Sequence, residues 1–167
     1  MTGAGEQQAL ALGPLLTRLL DGAEPLVFTS PLQRAARTAE LALPQYEAEP
    51  VPALEEYDYG EYEGLTSTEI LGRDPQWNLF EGDCPGGESS LQVAARCDAF
   101  CAKLERVAGG RAVVVFTHGH LSRMLTARIL SLPANAGASL WNDTATVGII
   151  HEHRGQMVMI GWNVRAG

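Results

Sequence analysis

Positive charge is scarce in this sequence, and lysine scarcest of all. Lys103 is the only lysine among twelve basic residues, which face twenty acidic ones for a net charge of −8. That balance argues against nucleic acid or an anionic membrane as the main partner. An anionic small molecule remains admissible, because a site needs only local positive charge. Arginine grips phosphate or carboxylate well, but a bias spread over a whole chain follows codon composition more readily than function. Cysteine is also sparse. Cys84, Cys97 and Cys101 are odd in number and form no C-x-x-C pair, the pattern of reduced thiols in a cytosolic protein. No apolar run is long enough to span a bilayer, and no signal peptide or lipidation motif is present, so a cytoplasmic location is expected. G-x-S-x-G, Walker A, H-E-x-x-H and EF-hand patterns are all missing. Gly3-Ala4-Gly5 has no strand before it, which removes a dinucleotide-binding reading.

What is present is organised around residues 111–132. An unbroken β-branched run at 112–116 predicts a strand buried on both faces of a parallel sheet. Leu121, Met124, Leu125, Ile129 and Leu132 follow at helical spacing until Pro133 stops them. Thr117, His118, Gly119 and His120 fall between strand and helix, at the carboxyl end of the strand. That is where open α/β sheets hold their chemistry, and a helix N-terminus there favours anions.

Around this centre the pattern alternates. Residues 6–20 predict a helix that Gly13-Pro14 interrupts, and 25–29 a short buried strand. Ser30, Pro31 and Gln33 then read as N-cap, first position and third position of a helix running to 43. Residues 49–54 are at most an edge strand because of Pro50 and Pro52, and 55–65 form a polar loop loosened by Gly60 and Gly64. Thr66 with Glu69, and Ser89 with Gln92, announce two capped helices. The second carries the stripe Val93, Cys97, Phe100, Leu104 and Val107. Residues 144–151 and 156–162 predict a hairpin turning at Arg154-Gly155. At 46% hydrophobic over 167 residues, this describes one three-layer α/β/α domain with a mainly parallel sheet.

Three groups of residues carry candidate chemistry. The histidines fall in two pairs, His118-x-His120 and His151-x-His153. A metal can be drawn between them, but Gly119 splays the first pair and His153 abuts a hairpin tip, so no metal is expected. Arg34 and Arg37 stand in the first turns of a helix, where cations oppose the macrodipole unless an anion binds. Phosphate binding is the better reading for Arg34, a solvated face for Arg37. The stretch 54–66 holds several carboxylates, and nothing in it alone says which one works.

Taken in order, these pieces resemble the histidine phosphatase superfamily, the phosphoglycerate-mutase-like fold, over nearly the whole chain. T-S-P-L-Q-R-A-A-R-T-A is similar to the family's phosphate-arginine helix, and L-E-E-Y-D-Y-G-E-Y-E-G to its acid loop. C-P-G-G-E-S is similar to its "GGES" element and T-H-G-H to its second histidine. The Y-G-x-Y-E-G, D-C-x-x-G-E and H-G-H forms together resemble the sugar-phosphatase branch, including sedoheptulose-bisphosphatase-like members. The chain is shorter than the mutases, which carry insertions.

The resemblance implies hydrolysis of a small phosphorylated metabolite, a sugar phosphate by the branch, through a phosphohistidine and without a cofactor or metal. It assigns phosphate binding to Arg34, charge stabilisation to His118 and the general acid to Glu56. Thr117, Gly119, His120, Arg123 and Arg37 would line the pocket. It also implies a first strand ending in R-H-G, whose histidine is the nucleophile, and residues 1–167 contain no R-H-G. The expectation is therefore a single domain over 1–167, truncated at its N-terminus and inactive as it stands, with a gap beside 112–116 and a homodimer as one way to close it. A pseudophosphatase that binds without turnover, a mutase and a histidine-ligated metal hydrolase are the alternatives.

Overall fold

Three short parallel strands set the geometry of the molecule. The computed structural model describes residues 1–166. β1 (Leu26–Thr29) lies between β2 (Glu49–Pro50) and β3 (Val113–Phe116), with Leu26 opposite Val113 and Thr29 opposite Phe116. Side chains alternate across this sheet as strand geometry requires. Val27 and Phe116 meet Leu12 and Leu16 of α1 (Gly3–Leu20) and Ala39 and Ala42 of α2 (Gln33–Ala42). Phe28, with Val113 and Val115, meets Val93, Cys97 and Phe100 of α4 (Ser90–Val107) and Leu121, Met124 and Leu125 of α5 (Gly119–Ile129). Helices thus cover both faces of a parallel sheet, the α/β layering expected of the sequence.

Local chemistry explains most element ends. Thr66 and Glu69 form a full capping box at the start of α3 (Ser67–Arg73), as do Ser89 and Gln92 at the start of α4. α1 begins at Gly3, earlier than expected, because Thr2 caps it by accepting from the Gly5 amide. Pro14 does not end α1, and Gly13 has a packing role instead. A Cβ there would lie 3.0 Å from the Ala42 carbonyl, so its absence lets α1 close on α2.

Three expectations change. Ser30 does not cap α2: Leu32 holds the N-cap position and makes no side-chain cap bond. The edge strand expected over 49–54 is limited to Glu49–Pro50, because Pro52–Leu54 coils into a 3-10 turn. β3 is packed on both faces but is not fully buried. Val113, Val114 and Val115 are half-buried, and among the described residues β3 pairs with β1 on one side only. β4 (Thr146–His153) and β5 (Gln156–Arg165) make a separate antiparallel sheet instead of joining it. Arg154 and Gly155 turn that hairpin with φ of 54° and 79°, the left-handed pair a tight two-residue turn needs. Ala145 and Val147 pack on the same cluster as Val114, so the hairpin and β3 share a core without sharing backbone bonds.

Candidate active site

The parallel register of β1 and β3 brings the ends of both strands together. The Ser30 amide donates to the Phe116 carbonyl at 2.9 Å, which sets Ser30 and His118 side by side. Arg34, in the first turn of α2, donates through Nε to His118 Nδ1 at 2.9 Å. A guanidinium can only donate, so Nδ1 is the acceptor and the imidazole proton sits on Nε2. Nε2 lies 2.8 Å from Ser30 Oγ, which also accepts from the Leu32 amide at 3.2 Å. His118 is only 8% exposed. Burial, with Arg34 next, pushes its pKa from the ordinary 6.5 down to about 4. The ring is therefore a neutral donor with a fixed tautomer. Among the described residues neither Nη of Arg34 has a protein partner, so its fork stands open beside that donor.

Glu56 reaches the same place from the loop after β2. Its Oε1 accepts from the Leu121 amide at 2.9 Å and the Tyr57 amide at 3.2 Å, and its Oε2 from the His120 amide at 3.2 Å. The His118 side chain makes no cap bond to α5, and Glu56 satisfies two of the free amides of that helix instead. The anion expected at this helix N-terminus is thus supplied by the protein itself.

Thr117 ties the strand end to the same loop, donating from Oγ1 to the Leu54 carbonyl at 2.7 Å. Behind the loop, half-buried Arg96 donates to the carbonyls of Ala53, Glu55 and Glu56 at 2.8, 2.7 and 3.2 Å. It also grips Glu88 with both edges of its fork, at 2.8 and 3.0 Å. Glu88 in turn accepts from the Asp58 amide at 3.0 Å. Gly60, expected as a flexible point, is a contact. A Cβ there would stand 2.2 Å from the Pro85 carbonyl, and one at Gly87 would stand 2.3 Å from the Asp58 carbonyl.

The remaining candidates divide. His120 Nδ1 lies 2.6 Å from the Tyr59 hydroxyl, and its ring packs edge-on against Tyr59 and Phe80. Burial lowers the His120 pKa against the opposing pull of Glu56, and burial raises that of Tyr59, so the bond joins a neutral imidazole to a protonated phenol. Arg123 is buried and committed to structure: Nε and Nη2 donate to the Gly137 and Ala138 carbonyls at 3.0 and 2.8 Å, and the guanidinium stacks 4.6 Å over Phe80. Gly119 is exposed at the first position of α5, and a Cβ there would lie 4.0 Å from Glu56 Oε2. Arg37 is not brought to the site; on the exposed side of α2 it pairs with Glu6 and Glu40. His151 and His153 are exposed on β4. Among the described residues, no three of His, Cys, Asp or Glu are grouped so as to hold a metal.

Sequence reasoning missed Ser30 as the partner of His118, Tyr59 as the partner of His120, and the Arg96–Glu88 clamp. Only Arg96 left a trace. It falls between Val93 and Phe100 on the apolar face of α4, where an unpaired charge is costly and a partner must exist.

Comparison with known proteins agrees with this architecture. Residues 1–165 match the model of the histidine phosphatase superfamily (branch 1). An acid phosphatase of Mycobacterium tuberculosis is 37% identical over 164 residues, covering 96% of this chain and 79% of that protein. The sedoheptulose 1,7-bisphosphatase of Saccharomyces cerevisiae is 30% identical over 154 residues, and the match spans 57% of its length. A solved structure of an open reading frame from Mycobacterium tuberculosis superposes with a TM-score of 0.93 at 34% identity, over 100% of this chain and 86% of that one. A mycobacterial glucosyl-3-phosphoglycerate phosphatase solved with inorganic phosphate gives 0.83 at 26% identity, over 99% and 88%. With a family match over nearly its full length and the mycobacterial relative across most of it, this chain belongs to the histidine phosphatase superfamily.

Proposed function

We propose that this chain forms the body of a phosphomonoesterase that acts on a small phosphorylated metabolite through a phosphohistidine. The observation that carries the reading is the Arg34–His118 pair: an open guanidinium fork bonded to a buried, neutral imidazole. Nη1 and Nη2 of Arg34 match the spacing of two phosphate oxygens. His118 Nε2–H turns from Ser30 to a third oxygen, stabilising charge that grows as the phosphoryl group transfers. The nucleophile is the histidine of an R-H-G strand outside these 167 residues, which seats along the open edge of β3.

Its imidazole nitrogen forms a bond to phosphorus as the bond from phosphorus to the ester oxygen breaks. Glu56 gives up its hold on the α5 amides, takes up a proton from solvent as substrate binds, and passes that proton to the departing alkoxide. Water then attacks phosphorus, its oxygen bonding as the P–N bond breaks and its proton passing to Glu56, which releases inorganic phosphate and the free histidine. Thr117, Gly119 and His120 shape the wall around these steps, and no metal takes part.

A binding module without turnover is the second reading, favoured by the absence of R-H-G from residues 1–167. One experiment separates the two. The coding frame upstream of Met1 is read, the chain extended through it is expressed, and both forms are assayed on an aryl phosphate. The extended chain is expected to turn over and the 167-residue chain not to. An in-frame stop without R-H-G selects the binding module. Turnover by the 167-residue chain that vanishes in His118→Ala would overturn the placement of the nucleophile.

A further inference from the structure

A cleft of about 640 Å³ opens beside His120. Its walls are largely aromatic and aliphatic: Tyr59, Tyr62, Leu71, Trp77, Phe80 and the His120 ring. Tyr62 and Trp77 meet edge-to-face at 5.6 Å, which leaves ring surface turned to the cleft. His120 joins the cleft to the phosphate site, because its side chain lines the cleft while its amide holds Glu56.

Several of its polar groups are engaged, while the Ser67 and Tyr62 hydroxyls in the wall make no bond among the described residues. Arg123 is the one arginine in the wall, and its Nε and Nη2 are bonded to the Gly137 and Ala138 carbonyls. Asn78 gives its oxygen to the Phe80 amide and its nitrogen to Glu81. The Tyr59 hydroxyl is bonded to His120 Nδ1. Glu63 adds a negative charge. A second phosphate or a carboxylate would meet that charge, and the one cation in the wall, Arg123, already has Nε and Nη2 committed to carbonyls. A polyhydroxylated sugar would exchange its water for fewer partners than it has hydroxyls and would cover ring faces that offer none.

We infer that the substrate is a phosphomonoester of an aromatic or other apolar alcohol, with the organic group in this cleft and the phosphate on Arg34 and His118. This deepens the phosphatase reading and rests on it. It sets sugar phosphates, sugar bisphosphates and phosphoglycerates aside as preferred substrates. Apolar area removed from water supplies the affinity, and the lone phosphate fixes orientation.

The test is calorimetric titration of the 167-residue chain with 1-naphthyl phosphate, 1-naphthol, glucose 6-phosphate and fructose 1,6-bisphosphate. Naphthyl phosphate is expected to bind at least about tenfold tighter than either sugar phosphate. Leu71→Glu, a change at an exposed position of the wall, should erase that preference while leaving inorganic phosphate binding in place. Sugar phosphates binding as tightly as naphthyl phosphate, or a preference that survives Leu71→Glu, would overturn the inference and leave the phosphate site standing. Naphthol binding as tightly as naphthyl phosphate, unaffected by Arg34→Ala, would overturn the phosphatase reading and leave the apolar cleft standing. No binding by any of the four overturns both.

Discussion

Acid should destabilise this protein earlier than carboxylate protonation alone predicts, and His118 is the reason. Unfolded, its imidazole takes a proton near the ordinary 6.5; folded, it resists protonation until about 4, because it is buried against Arg34. Between those values the unfolded chain holds more protons than the native one, so stability falls as pH drops. The contribution is fully present above 6.5 and lost on the way down to 4. With those two endpoints the loss from pH 7 to pH 5 is about 2 kcal/mol, approaching about 3 kcal/mol at pH 4. His120, also lowered by burial, acts in the same direction. The carboxylates held below their ordinary range, Glu69 and Asp143, start from 4.5 and 3.8 and are lost lower still, so pH 5–7 isolates the histidines. Urea unfolding at pH 7 and pH 5 reads the effect directly, with a midpoint lower by about 1 M at pH 5 for a domain of ordinary size. His118→Gln, which cannot titrate, should have a shallower dependence. Equal midpoints at the two pH values, or an unchanged dependence in His118→Gln, would refute the assignment of a neutral buried imidazole.

The loop that carries Glu56 gives two more tests. Arg96→Met removes five hydrogen bonds and leaves Glu88 and three carbonyls without their donor, an expected loss of about 2–4 kcal/mol by thermal or urea melting. Arg96→Lys should recover little of it, since an ammonium cannot span both Glu88 oxygens and the carbonyls at once. Gly60→Ala combines a φ of 51° with a Cβ 2.2 Å from the Pro85 carbonyl, so it should cost about 2–4 kcal/mol or prise the two loops apart. A melting curve within error of the parent would remove the close contact from the account.

Elements whose signals are local were legible in the sequence. The Thr66–Glu69 and Ser89–Gln92 boxes need only residues three apart, and both form. Ser30, Pro31 and Gln33 carry the same local signal, yet the hydroxyl of Ser30 turns to His118 instead, 88 positions away. A long-range partner won over a local cap, and no window of sequence contains that competition. The same holds for Glu56. Its loop was recognisable by resemblance, but its place on the α5 amides depends on a helix more than sixty residues further on. β3 is covered on both faces yet only half-buried for another reason: an apolar run reports that a strand wants neighbours, not how many it has.

The site is fixed by register more than by any single bond. Side chains reverse faces with every residue along a strand, so slipping β3 by one position against β1 would exchange the Val113 and Val115 face for that of Val114 and Phe116. It would also carry His118 away from Ser30, because the Ser30 amide is bonded to the carbonyl two residues before that histidine. What opposes the slip is the core on each side. Phe28 meets Phe100 edge-to-face at 5.5 Å in one layer, while Val27 and Phe116 close on α1 and α2 in the other. Glu56 is located by other means, through Arg96 from below and the α5 amides in front. Arg34 and His118 therefore stand or fall with the sheet, and Glu56 with the loop clamp. A lesion in the clamp should remove proton transfer and spare phosphate binding, whereas a lesion in the β1–β3 core should remove both.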